Sequence, residues 1–287
     1  MIPAILASYL LNAAQADYDG SSLKFSGQFQ IEHPMGRLTG KKAELKDLQS
    51  ERLGKNGANL YLEEGVFFDA ASSATPFQVS SKRAFCELPP KSLFSFLKFQ
   101  EVRFFEDVEI QTLLGIKATG GTATYKQGKL ALYPEVPAIH CRLFRGHDTI
   151  DAKEIWFDLF LKELICISPI GFLSVGEITF SADSAHLTFQ DDYHPDLLLL
   201  EGSVRIVSTF QGKKTFALAD AATVRIDEKN LTLKSAPSKR VILWQEGLQI
   251  SAPEVQIDDR IRGLGDVHFS LDTEEVRELQ KLFSKFF

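Results

Sequence analysis

The stretch Leu198–Ile206, LLLEGSVRI, decides the fold, because five other stretches repeat its pattern. They are Leu23–Ile31 (LKFSGQFQI), Leu60–Phe68 (LYLEEGVFF), Val102–Ile110 (VRFFEDVEI), Ile242–Ile250 (ILWQEGLQI) and Ile261–Phe269 (IRGLGDVHF). The first, seventh and ninth positions are apolar in every copy, and the third is apolar in all but the last, where Gly263 stands. The fifth is always Gly or Glu. Side chains alternate along a strand, so the odd positions are expected on one face. Each copy then presents two apolar residues, a small or acidic gap, and two more.

A second element follows most copies. It carries a small residue and, three positions on, another small or apolar one: Gly40 and Ala43, Ala152 and Ile155, Ala182 and Ala185, Ala219 and Ala222, Ala252 and Val255. Residues three apart point to opposite faces of a regular strand. The pair therefore marks a local bulge or a close approach of backbones. Polar turns separate the runs, among them His33-Pro34-Met35-Gly36, Lys55-Asn56-Gly57, Gln127-Gly128 and Gln211-Gly212. Short strands with short polar turns indicate an all-β chain rather than βαβ units. Strand, turn and small-pair strand recur with a period of about forty residues, in the range of repeat architectures. Residues 134–195 fit the template poorly and read as degenerate copies. Pro134-Glu135-Val136-Pro137 punctuates the β region, dividing it into 17–137 and 138–271; a continuous curved stack is equally consistent.

The two ends differ from the rest. Residues 1–16 hold an apolar run, Ile2–Leu11, before Ala14-Gln15-Ala16, which resembles the end of a secretory signal peptide. No Lys or Arg precedes Lys24, so the basic start of such a signal is missing, and an apolar tail or a helix on the first strand is the other reading. Residues 272–287 change period. Asp272-Thr273-Glu274-Glu275 suits a helix N-terminus, and Val276, Leu279, Phe283 and Phe286 recur at helical spacing. This predicts an amphipathic α-helix that either caps an open end of the β structure or docks to a membrane complex.

Composition narrows the function. The chain has 287 residues, a net charge of −6 and no Lys/Arg run. That argues against a nucleic-acid partner, which selects a basic patch, and against adsorption to anionic lipid through a polybasic segment. Phe occurs 23 times and Met twice, so the apolar surface is built from rigid rings. Cys86, Cys141 and Cys166 lie in apolar or alternating stretches and read as small buried residues. There is no phosphate-binding glycine loop, no HExxH and no GxSxG, so no enzyme and no cofactor is expected. His140-Cys141 with His147 matches no zinc spacing, and no metal is expected. The acidic runs Asp191-Asp192 and Asp258-Asp259 read as polar turns, and Asn230-Leu231-Thr232 is a weak glycosylation sequon.

The two-part unit resembles the OstA-like repeat of the LptA–LptC lipopolysaccharide-transport bridge family. Leu198–Ile206, then Gln211-Gly212-Lys213-Lys214, then Phe216–Ala222 (FALADAA) carry the resemblance best. Tyr18–Leu45 and Val102–Tyr125 repeat it. The chain departs from the family in its length, its middle section and its C-terminal helix. The resemblance implies a twisted, partly open β-jellyroll, periplasmic in the cell envelope, soluble or membrane-associated. Lipopolysaccharide acyl chains would lie in an apolar groove, and edge strands would pair with other jellyroll proteins of the bridge. The odd-position residues Phe25, Phe29, Phe68, Phe104, Leu200, Val204, Ile206, Trp244, Ile250 and Phe269 are the candidates to line such a groove. A structural or adhesive β-scaffold with a closed core would show the same apolar rows. A carbohydrate-active β-solenoid would instead need its acidic side chains to converge.

Overall fold

The computed structural model describes residues 10–33, 36–46, 58–70, 76–88, 101–112, 115–137, 139–190 and 194–271. The helix expected over 272–287, residues 1–9 of the apolar start, and Asp191-Asp192 lie outside them. The described residues are all-β, with one 3₁₀ turn at Val175–Glu177 and no α-helix. The chain divides into two compact units, Met1–Cys141 with Asp158–Leu161, and Arg142–Phe157 with Lys162–Phe287.

The first unit is an antiparallel meander. Its strands are β1 (Leu10–Asn12), β2 (Gln15–Tyr18), β3 (Leu23–His33), β4 (Gly36–Lys46), β5 (Ala58–Asp69), β6 (Phe77–Leu88), β7 (Val102–Thr112), β8 (Lys117–Lys126) and β9 (Lys129–Tyr133). From β3 to β9 each strand pairs with the next. β1 and β2 share the outer edge of β3, one on each half of it. The described part of the apolar start is thus strand.

Every pairing from β3–β4 to β7–β8 loses register at the same level. There, β3, β5 and β7 each insert two consecutive residues with left-handed backbone. They are Gly27 and Gln28 (φ 72° and 57°), Glu64 and Gly65 (64° and 74°), and Glu106 and Asp107 (63° and 52°). Each pair stands against a single residue of the following strand: Lys41, Lys82 and Gly121. Two residues against one bend a strand and increase its twist. Stacked in line, these irregularities fold the sheet along one crease into two arms. The Gly or Glu at the fifth position of the repeat, with its successor, makes the crease. Gly65 has no atom within 4 Å of where a Cβ would sit, so its side chain is absent for backbone reasons alone.

The second unit repeats the device. Its strands are β10 (Cys141–Arg145), β11 (Asp148–Ala152), β12 (Glu154–Asp158), β13 (Glu163–Ile167), β14 (Ile170–Leu173), β15 (Ile178–Ser181) and β16 (Ser184–Phe189), then β17 (Pro195–Phe210), β18 (Lys213–Arg225), β19 (Asn230–Lys234), β20 (Val241–Gln245), β21 (Leu248–Ala252), β22 (Glu254–Ile257), β23 (Ile261–Leu264) and β24 (His268–Leu271). The long strands β17 and β18 cross the crease, with Gly202 and Ser203 (φ 75° and 47°) opposite Asp220. On either side of them the sheet splits. One arm continues as β13, β16, β17, β18, β19, β22 and β23. The other continues as β11, β14, β15, β17, β18, β20, β21 and β24.

The small pairs sit on the crease. Gly40 opposes Phe29 and Ala43 opposes Phe25; Ala219 opposes Val204 and Ala222 opposes Leu200. The residue lost to the bend brings positions three apart onto the same inner face. At Ala152, Ala182 and Ala252 the bend breaks the strand altogether, between β11 and β12, β15 and β16, and β21 and β22.

Candidate functional site

The register places the inner face in rows. In the first unit, one arm carries Phe25, Ala43, Leu62, Ala84, Phe104, Ala123 and Leu132 side by side, all buried. The other arm carries Ile31, Leu38, Phe68, Val79, Ile110 and Ala118, also buried. Phe29 lies at the crease, 5.0 Å ring to ring from Phe25. The arms touch through aromatic rings: Phe68 lies 6.1 Å from Phe104 and 5.7 Å from Tyr125, and Phe77 lies 5.1 Å from Tyr125. The candidates Phe25, Phe29, Phe68 and Phe104 thus share one interior, which protein rings fill at this point.

In the second unit, Leu200 belongs to a row with Cys166, Ala185, Ala222, Leu233, Val255 and Gly263. Val204 lies at the crease. Ile206, Ile250 and Phe269 share the other arm's row: Ile150, Gly171, Phe180, Ile206, Ala217, Leu243, Ile250 and Phe269. All of that row is buried except its last member, Phe269, which is 66% exposed. Phe180 packs on Gly171, where a Cβ would come within 2.3 Å of the ring.

Trp244 does not join them. Its register neighbours are Phe216 and Gln249, whereas Leu243 opposes Ala217 and Ile250. The reason is local. In this copy Glu246 and Gly247 (φ 41° and 84°) close a two-residue hairpin between β20 and β21 instead of a crease. The chain reverses, and positions 1 and 3 fall on the face opposite to position 9. Trp244 is therefore corrected to the outer face. Conversely, Phe77, Tyr125 and Phe180 belong to the inner face. Phe180 stands two residues before the small pair Ala182 and Ala185, which is the signal that marks it; no such spacing marks Phe77.

The outer side of the crease is charged. Lys42 pairs with Glu64, Lys82 with Asp107 at 2.7 Å, and Arg83 with Glu106. The hydrogen bond from Lys42 holds the Glu64 carboxyl below the usual carboxylate range, and Glu64 in turn raises the Lys42 ammonium. These pairs are open to water and contribute little to stability. A cavity of about 270 Å³ reaches in from this side to Phe25, between Asp17, Lys24, Lys42 and Tyr61. Another of about 350 Å³ lies between Asp107, Glu109, Glu135 and His140. Charged side chains rim both hollows, with Phe25, Ala43 and Tyr61 in the lining of the first and Val108 and Ile139 in that of the second.

Little among the described residues offers chemistry. No group of three His, Cys, Asp or Glu side chains is placed to hold a metal. Cys86, Cys141 and Cys166 are buried, and burial pushes the Cys86 thiol up, away from a reactive thiolate. Asp258 accepts hydrogen bonds from the Arg260 N–H (2.9 Å) and the Arg262 guanidinium (2.6 Å), which makes it a turn residue. No helix among the described residues is long and apolar enough to cross a membrane.

No protein-family profile matches the chain, and no curated protein matches it. Among solved structures, LptH from Pseudomonas aeruginosa is matched over 44% of this chain and 95% of that one, at 8% identity and a TM-score of 0.39. LptH is described as the LptA-homologous periplasmic component of the conserved lipopolysaccharide transport device. So low a score leaves the functional reading to the geometry.

Proposed function

We propose that the protein is a non-enzymatic lipid-binding protein of the cell envelope, which holds acyl chains between the two arms of a creased β-sheet. Lipopolysaccharide is the favoured cargo. A periplasmic location, and bridge proteins joined through edge strands, go with that reading. The observation that carries it is Phe269. An apolar row that is buried along its length runs out to an uncovered phenyl ring on the edge strand β24. A core serving only the fold gains nothing from such an end, whereas an acyl chain sliding between the arms needs one.

Magnitudes favour a guest. An aromatic contact such as those of Phe68 is worth about 0.5–1.5 kcal/mol beyond its area. Parting a few of them costs several kcal/mol. An acyl chain of about ten methylenes taken from water recovers about 8 kcal/mol. The rings of Phe68 and Phe104 then exchange one apolar neighbour for another.

Photo-crosslinkers at single sites in the protein expressed in a lipopolysaccharide-making cell test the reading. Phe68, Phe104, Leu200, Ile206 and Phe269 are expected to capture lipopolysaccharide. Trp244 and Arg205, on the outer face, are expected to capture none. Equal labelling of both sets would end the proposal. The closed β-scaffold is the second reading, favoured by the ring contacts of Phe68 across the arms; it predicts no lipid adduct at any inner position.

A further inference from the structure

The outer face of the first unit carries an aromatic ring that the repeat does not call for. The second position of the nine-residue pattern faces outward, and in β3 and β7 it holds Lys24 and Arg103, both exposed. In β5 it holds Tyr61, which is 38% exposed. The register sets Asp17, Lys24, Glu44 and Tyr61 side by side across β2 to β5, with Lys42 opposite Glu63 in the next outward row. These six residues line the hollow of about 270 Å³. At strand spacing the strip is about 14 Å long and about 7 Å wide. Phe85 supports the Tyr61 ring from the next strand, 5.0 Å centre to centre, and the Lys46 ammonium stands 4.9 Å from the ring centre.

The charges around the ring select the ligand. An anion entering the hollow meets the carboxylates of Asp17, Glu44 and Glu63, and a cation meets the ammonium groups of Lys24 and Lys42. A neutral ligand rich in hydroxyls meets neither penalty, because each hydroxyl donates to a carboxylate and accepts from an ammonium. Hydrogen bonds to ionised groups are stronger than neutral ones. The ion pairs already present, Lys24 with Glu44 at 4.0 Å and Lys42 with Glu64, are open to water, where pairing contributes little and is readily shared. A sugar ring combines a rim of hydroxyls with a face of C–H groups, and that face suits the electron-rich face of Tyr61. We propose that this hollow binds a neutral glycan chain, with one sugar ring against Tyr61 and its hydroxyls shared between the carboxylates and the ammonium groups. The ligand is a glycan without lipid. Asp17, Lys24, Glu44 and Tyr61 alternate with the inner row and point away from it, so the sugar of a lipid held between the arms does not reach them. The site stands whether or not the lipid reading does.

Calorimetric titration of the full-length protein with maltohexaose, cellohexaose and chitohexaose tests the site, and at least one of the three is expected to bind. In variants that keep the β circular dichroism of the parent, Tyr61→Ala is expected to weaken that binding about tenfold and Glu63→Gln about threefold, whereas Tyr61→Phe, which keeps the ring, stays within about twofold. Phe269→Ala, in the second unit, is expected to leave it unchanged. Binding of none of the three, or parent affinity in both Tyr61→Ala and Glu63→Gln, would overturn the proposal. So would binding of inorganic phosphate that Glu63→Gln strengthens, which marks an anion site instead.

Discussion

At the residue scale, backbone conformation matters more here than chemistry. The fifth and sixth positions of the repeat are chosen for left-handed φ, and the cost of ignoring that choice is measurable. Gly65 (φ 74°) has open space around it, so Gly65→Ala meets no clash and still places a Cβ in the left-handed region. It is expected to lower unfolding free energy by about 1–2 kcal/mol in urea titration. Asp19 gives a titration signature. Its carboxylate accepts the backbone N–H of Ser22 at 2.7 Å and of Ser21 at 3.0 Å, and both serine hydroxyls as well. These bonds, that of Ser22 first, hold its pKa well below the usual carboxylate range. A depressed folded value stabilises above the unfolded pKa of about 3.9, and the stabilisation is lost as pH falls from there through the folded value. Asp19→Asn is therefore expected to be less stable than the parent at neutral pH. The gap should close in strong acid, as followed by thermal melts across pH.

At the scale of elements, the repeat is read twice by the fold. In β3, β5, β7 and β17 its centre is a crease, and in β20–β21 the same two left-handed residues are a hairpin turn. The all-β class, the bulge at the small pairs and the inward apolar rows were legible in the sequence, because each follows from a period of two and from the special φ of Gly. The hairpin was not. Glu246-Gly247 and Glu64-Gly65 are the same dipeptide, and only the partner strands decide whether the chain bends or reverses. That is why Trp244 was expected inside and is found outside. Contacts between arms were also illegible, since they join residues far apart in sequence. Phe68 shows their weight. Its ring meets Phe77, Phe104 and Tyr125, and Phe68→Ala is expected to cost about 3–5 kcal/mol by denaturant unfolding. A loss below about 1 kcal/mol would mean that the arms are not held by these rings.

At the scale of the molecule, each unit is a creased sheet with apolar rows on its inner face, and the outer side of the first unit's crease carries ion pairs. Among the described residues no group of three His, Cys, Asp or Glu side chains is placed to hold a metal. The proposed lipid carrier and the closed scaffold differ in what they ask of Phe269, the uncovered end of a buried apolar row. Native mass spectrometry of the full-length protein, released gently from micelles of lipopolysaccharide, tests this most directly. The account predicts a complex heavier than the bare chain by whole lipopolysaccharide molecules, lost when Phe68 and Leu200 are replaced by Asp in a chain that keeps its β circular dichroism. The bare mass alone, at every lipid concentration, would contradict it.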